Sequence, residues 1–266
     1  MNPLPLLQLI GPDRWPAFAL ISARVGGLML AAPLWSMSTL PRATRAAITV
    51  VLSVLLLASC PAVKAPEEVL QMPLPMAMEG LVGLVIGLTA AVLIQAVALG
   101  GEVLSLQMGL SLGQALAPSP DLEASGVAQF QTILALLIYT SAGGHLMLLQ
   151  ALAESLRVLP PGSGFGLSAS PAALGALPGT LFSCAIRAAA PVMVALLLAN
   201  VALAVMSRAV PQLNAMMVAF PLTIGIGLIV SAAAMPLIAA TIRGWIENLP
   251  IATAAALHGF QAAGSH

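Results

Sequence analysis

The sequence predicts an all-α, polytopic membrane protein with about six hydrophobic helices, and three observations carry that prediction. Of 266 residues, 60% are hydrophobic and only 7% charged, where soluble domains average roughly a quarter charged. The mean hydropathy is +1.04. Six apolar stretches recur along the chain, and most of the few charges lie in the connections between them. Net charge is zero and no basic run occurs, which excludes nucleic acid as a partner.

The first apolar stretch, Trp15 to Pro33, carries Arg24 near its middle. An Arg at a helix centre costs about 2.5–3.5 kcal/mol on insertion scales unless it faces protein or water. The second, Ala46 to Ser59, has 14 residues, short of the roughly 20 that cross hydrocarbon. A chain packed inside a larger assembly, rather than bathed in lipid, relieves both problems. The third stretch runs from Gly80 to Leu99 and the fourth from Val127 to Leu149, the latter with Gly143-Gly144-His145 inside it. The fifth spans Ala188 to Met206, and the sixth Met216 to Ile242 with Pro221 and Pro236 within. A Gly/Pro/Ser-rich segment at 160–179 is expected to be a flexible linker. It divides a four-helix part at 1–159 from a helical hairpin at 180–249 and a frayed tail at 250–266. The N-terminus shows no basic region ahead of its apolar run, so no cleaved signal peptide is expected. The loop charges leave membrane orientation open.

Gly100 to Pro118 is the stretch on which function is expected to turn. It begins as the polar end of an apolar helix and finishes in a Gly- and Pro-punctuated loop, with Glu102, Gln107, Met108 and Gln114 close together. Irregular backbone at membrane depth is tolerated only where it is buried in protein or lines a water-filled cavity.

Catalysis finds little support. No phosphate loop or His/Cys metal cluster occurs, His145, His258 and His266 are scattered, and Cys60 and Cys184 lie far apart. No cofactor is implied and the chain is expected not to be an enzyme. His145 is expected to be a packing residue. Gly83-x-x-x-Gly87 permits close helix approach, either within this chain or against a partner. Arg208 to Asn214, with Pro211 and Gln212, reads by itself as a capped turn between the last two helices.

Several blocks in order resemble the FliR/SctT family of type III secretion export-gate subunits. They are Arg24 to Pro33 (RVGGLMLAAP), Leu40-Pro41-Arg42 with Arg45, Gly101-Glu102, and Leu106-Gln107-Met108-Gly109-Leu110. Gly144-His145-Leu146, Leu159-Pro160, Ala190-Pro191-Val192, Pro211-Gln212-Leu213-Asn214 and Phe220-Pro221-Leu222 follow. The Gln-Met-Gly block resembles the flagellar branch more than the virulence branch. The resemblance implies a FliP-like N-terminal part joined to a FliQ-like C-terminal hairpin. It also implies a core subunit of a gated channel for unfolded flagellar proteins, in the bacterial inner membrane at the flagellar basal body. Implied partners are FliP, FliQ, FlhB and FlhA, the exported chains, and the lipid bilayer. A virulence-type subunit, or a standalone small-solute transporter, is the alternative.

The same resemblance places a pore plug at about 107–120. Leu106, Gln107, Met108, Gly109, Leu110, Leu112, Leu116 and Pro118 are its gating residues, and an apolar constriction of this kind closes by dewetting. Leu112 and Ala115 stand where relatives often carry aromatics. Subunit packing is expected at Arg24, Gly83, Gly87, Arg208, Pro211, Gln212, Phe220 and Pro221.

Overall fold

The computed structural model describes residues 14–36, 40–60, 72–110, 126–162, 183, 186–187, 189–190, 192–202, 204–205 and 215–262. Most of these residues are helical, with no strand among them. The helices are α1 (Trp15–Ala31), α2 (Arg42–Ser59), α3 (Pro73–Gln107), α4 (Gly126–Ser141), α5 (Gly144–Val158), α6 (Val192–Ala202) and α7 (Ala215–Ala262). Two of them, α3 and the Pro221–Ile251 part of α7, are long and apolar enough to cross a membrane, and α4 with α5 makes a third if that pair is one span.

The chain forms two compact units. The first comprises Met1–Val92, Gly143–Pro178 and Ile246–His266; the second comprises Leu93–Ala142 and Gly179–Trp245.

In the first unit, α1 buries Leu20, Ile21, Arg24, Val25 and Leu28, and the early part of α3 buries Val82, Val85 and Ile86. Glycine lets these two helices approach. A Cβ on Gly27 would strike the Gly80 carbonyl, and one on Gly83 would strike the carbonyl of Arg24. A Cβ on Gly87 would sit 2.8 Å from that of Ala31. The small-residue spacing read from the sequence is thus used inside this chain. Pro73 and Pro75 sit in the first turn of α3, where a missing N–H costs no helical bond. In α5 the buried residues Leu148, Ala151, Leu152, Ser155 and Leu156 fall on one face at helical spacing.

Four element boundaries differ from those read in the sequence. α2 begins at Arg42 and has 18 residues rather than 14. α3 starts at Pro73 and runs 35 residues to Gln107, so Gly100 to Gln107 continues the helix. The fourth apolar stretch breaks at Ala142-Gly143, because Gly143 adopts φ +76°, a left-handed conformation that ends α4. α7 continues past Ile242 to Ala262. Its charges Arg243 and Glu247 are exposed while Ile246, Leu249 and Thr253 keep a buried stripe at three- and four-residue spacing. Hydropathy falls at the charges, but the helical face goes on.

In the second unit, Leu104, Met108, Ala189, Val192, Leu196 and Ala234 form a hydrophobic core, against which Val127, Met193, Ile224, Ile226 and Val230 pack. Outside that core, α6 exposes Val194, Leu197, Leu198 and Val201, and α7 exposes Leu228, Ile229 and Leu237. The most apolar window of α7 is only 28% buried, against 67% for α3. Such a patch is too large for a water-facing surface and marks a lipid or protein contact.

Candidate functional site

The end of α3 is closed by a backbone motif. Gly109 N–H donates to the Leu106 carbonyl at 3.1 Å and Leu110 N–H to the Ser105 carbonyl at 3.1 Å, with Gly109 at φ +77°. This pair of bonds with a left-handed glycine is a Schellman cap, which satisfies carbonyls that the helix end would otherwise leave bare. Met108, the last residue before the glycine, is fully buried in the second unit's core, whereas its neighbours Leu106 and Leu110 are 62% and 39% exposed. One apolar side chain therefore anchors the turn while two others are presented outward. Gln107 and Gly109 are half-buried. Leu112, Leu116 and Pro118 lie outside the described residues.

A second cluster lies in the first unit around Arg24. Its Nε donates to Glu79 Oε2 at 2.6 Å, and Nη2 bonds the same oxygen. Nη1 donates to the Ser155 carbonyl at 2.9 Å and to Ser155 Oγ at 3.1 Å, and Nη2 to the Leu159 carbonyl at 2.9 Å. Glu79 Oε1 in turn accepts from the Gly162 N–H at 3.1 Å. Arg24 is 0% and Glu79 1% exposed. All five guanidinium N–H groups are used, and both carboxylate oxygens accept. A charge taken out of water is tolerated only when paired and hydrogen-bonded in this way. This resolves the apparent cost of an Arg in the middle of α1: it faces protein, from its own chain.

Glu79 is the residue that sequence reasoning missed. It stands between Met78 and Gly80 in an otherwise apolar run. The signal was present as two single, opposite charges in two apolar helices, which pair far more cheaply than either stands alone.

Among the other expected packing residues, Gly83 and Gly87 lie against α1 as described, and Pro221 is exposed. Arg208, Pro211 and Gln212, and the side chain of Phe220, lie outside the described residues. His145 is half-buried, and its Nδ1 has no partner among the described residues. A groove of about 550 Å³ between α4 and α7 is lined by Phe130, Leu134, Leu228 and Met235 with Gln131 and Ser231, and carries no titratable side chain. No group of three or more His, Cys, Asp or Glu side chains able to hold a metal occurs among the described residues.

The profile of a known family, the bacterial export proteins, family 1, matches residues 15–249. The chain belongs to the bacterial export proteins, family 1. That match spans α1 through most of α7 and so covers both the capped turn and the Arg24 cluster. Among curated proteins, this family member is 31% identical to the flagellar biosynthetic protein FliR of Escherichia coli K12 over 225 residues, covering 85% of this chain and 84% of that one. It is 28% identical to FliR of Bacillus subtilis 168 over 247 residues, 91% and 94% of the two chains. With FliR of Pectobacterium carotovorum the identity is 33% over 158 residues, 59% and 60%. The two first-named matches cover 84% and 94% of those relatives' lengths.

Proposed function

We propose that this chain is a core subunit of the flagellar type III protein export gate in the bacterial inner membrane, at the base of the flagellum. In this reading it assembles with FliP and FliQ, with FlhB and FlhA nearby, into a channel for unfolded flagellar proteins. It does no chemistry of its own. The part at 1–159 and the hairpin at 180–249 serve as FliP-like and FliQ-like modules. Coverage of 84% and 94% of two FliR chains is the observation that carries the assignment. The apolar faces of α6 and α7 suit burial by neighbouring subunits or lipid.

Within that channel, the segment that begins at Leu106 and the capped turn is the gate. Leu106 and Leu110 stand outward on a turn held by Met108, and apolar side chains across a narrow pore exclude ions by dewetting. Leu112, Leu116 and Pro118 extend the same gate. Gly109 gives the backbone of the turn the freedom to move when an exported chain arrives.

Co-expression of this chain with and without FliP and FliQ of the same organism, followed by purification in mild detergent and native mass spectrometry, tests the assembly. A discrete particle containing all three subunits is expected. A homogeneous particle of this chain alone, in the presence of both others, would overturn the export-gate reading in favour of a standalone transporter.

A further inference from the structure

Met108 closes into a socket whose floor is a glycine. Met108 Cε, Cγ and Sδ are the nearest atoms to the place where a Cβ on Gly227 would stand, the Cγ and Sδ at 3.0 Å and the Cε closer still. Gly227 is itself buried on α7, and Thr223, one turn earlier on the same face, brings Oγ1 to 3.5 Å from the Met108 carbonyl. Both side chain and backbone of this one residue are therefore held against α7, in a core that includes Leu104, Val192 and Leu196. Methionine fits such a site because its unbranched thioether fills irregular space that a branched side chain cannot.

We infer that the Met108 side chain, seated against Gly227, is the pin that sets the closed position of the gate turn, and that Gly227 is a positioning residue for gating. The inference rests on the gating role proposed above. Three features of the geometry carry it. Met108 adjoins Gly109, the left-handed residue of the turn, so a shift of the Met108 backbone is passed directly to the turn. Leu106 and Leu110, the outward side chains, flank it within two residues. The atoms a Gly227 Cβ would displace belong to the free end of a flexible side chain, not to backbone. A methyl group there moves the pin and spares the fold. Gly27 and Gly83 differ in kind, since a Cβ there meets a carbonyl.

The same helix supplies its own control. Gly225 has nothing within 4 Å of where its Cβ would be. Replacing either glycine by alanine strengthens the helix by the same small propensity gain, but only the change at 227 touches Met108. Overpacking a filled site at a pin of this kind shifts the balance toward the open turn by roughly tenfold.

The test measures resting permeability to small ions of the assembled complex in proteoliposomes, with assembly checked by native mass spectrometry. The expected result for Gly227→Ala is an assembled complex that leaks roughly tenfold more than wild type, with Gly225→Ala at the wild-type value. Met108→Ala removes the pin without adding bulk and leaks as well. The double variant Met108→Ala with Gly227→Ala leaks no more than Met108→Ala alone, because the added Cβ then has no side chain to displace. A double variant whose leak is the product of the two single effects overturns the pin. So does equal leakage from both glycine variants. A companion complex with Gln107–Ala117 replaced by a Gly/Ser linker separates the two levels. If the linker variant leaks and Gly227→Ala does not, the pin falls and the gate stands; if neither leaks, the gate falls and the pin with it. Should Gly227→Ala not assemble, Met108→Ala decides, leakage supporting the pin and wild-type tightness overturning it.

Discussion

Removing Glu79 is expected to cost more than any single apolar truncation nearby, and the hydrogen bonds show why. In Glu79→Met the Arg24 guanidinium stays fully buried with no counter-charge, Nε has lost its acceptor, and the Gly162 N–H has lost Oε1. Breaking a buried ion pair from one side costs about 3–5 kcal/mol. Arg24→Met fails symmetrically, since it leaves a buried carboxylate held only by Gly162 N–H and strips the donors from Ser155 and Leu159. The double variant Arg24→Met with Glu79→Met buries no charge. Its remaining losses are the unmet Gly162 N–H and Leu159 carbonyl, at about 1–3 kcal/mol each. It is therefore expected to be clearly more stable than the sum of the singles implies. For a chain of this size each kcal/mol moves the melting point by about 2–4 °C, so either single variant should melt roughly 6–20 °C lower. The assay is a thermal melt of the purified chain in mild detergent, followed by resistance to proteolysis. Single-variant effects that add within about 0.5 kcal/mol would refute the reasoning, because neighbours in one network must couple.

Two further expectations concern the same unit. Gly83→Ala should destabilise strongly, since its Cβ would meet only backbone, the Arg24 carbonyl and the Leu28 nitrogen, whereas Gly26→Ala, with nothing within 4 Å, should be neutral or slightly stabilising; the same melt compares them. Cys60 is half-buried beside this cluster, where burial, with the Glu79 charge adding to it and the Arg24 charge opposing, pushes its thiol above the usual cysteine range. Only the thiolate alkylates, so in a Cys184→Ser background Cys60 should label more slowly than a free thiol at neutral pH and gain rate only above the ordinary thiol range; labelling at the free-thiol rate at neutral pH would contradict this.

The sequence made the apolar segments legible because a span's length and hydropathy are local properties, and the helices appear where Trp15, Gly80 and Val127 open or enter oily runs. Gly109 was visible only as part of a Gly- and Pro-punctuated stretch; that it closes α3 in a left-handed cap was not read. What could not be read was pairing across the chain. Glu79 lies 55 residues from Arg24, and Ser155 lies 131 residues away, so the composition around each hints at a charge without naming its partner. The socket at Gly227 was hidden for a different reason. A glycine inside an apolar helix looks the same whether it packs against a methionine, as Gly227 does, or faces open space, as Gly225 does.

These two kinds of site also divide the demands that the chain makes on its surroundings. The Arg24 cluster asks for nothing outside itself: five donors and two acceptor oxygens are matched within the first unit, so the most expensive group in α1 is already neutralised by its own fold. The second unit is the reverse case. Its core is small, and α6 and α7 leave Leu197, Leu198, Leu228 and Ile229 uncovered. Lipid tails and a neighbour's aliphatic side chains cover such residues equally well in hydrophobic terms, so packing decides between them. In the proposed assembly, close packing by neighbouring subunits around α6 and α7 would also narrow the space in which α7 moves. Under the gating role proposed above, a neighbour that stiffens α7 stiffens the turn at 106–110 with it, since Gly227 and Thr223 of α7 hold Met108.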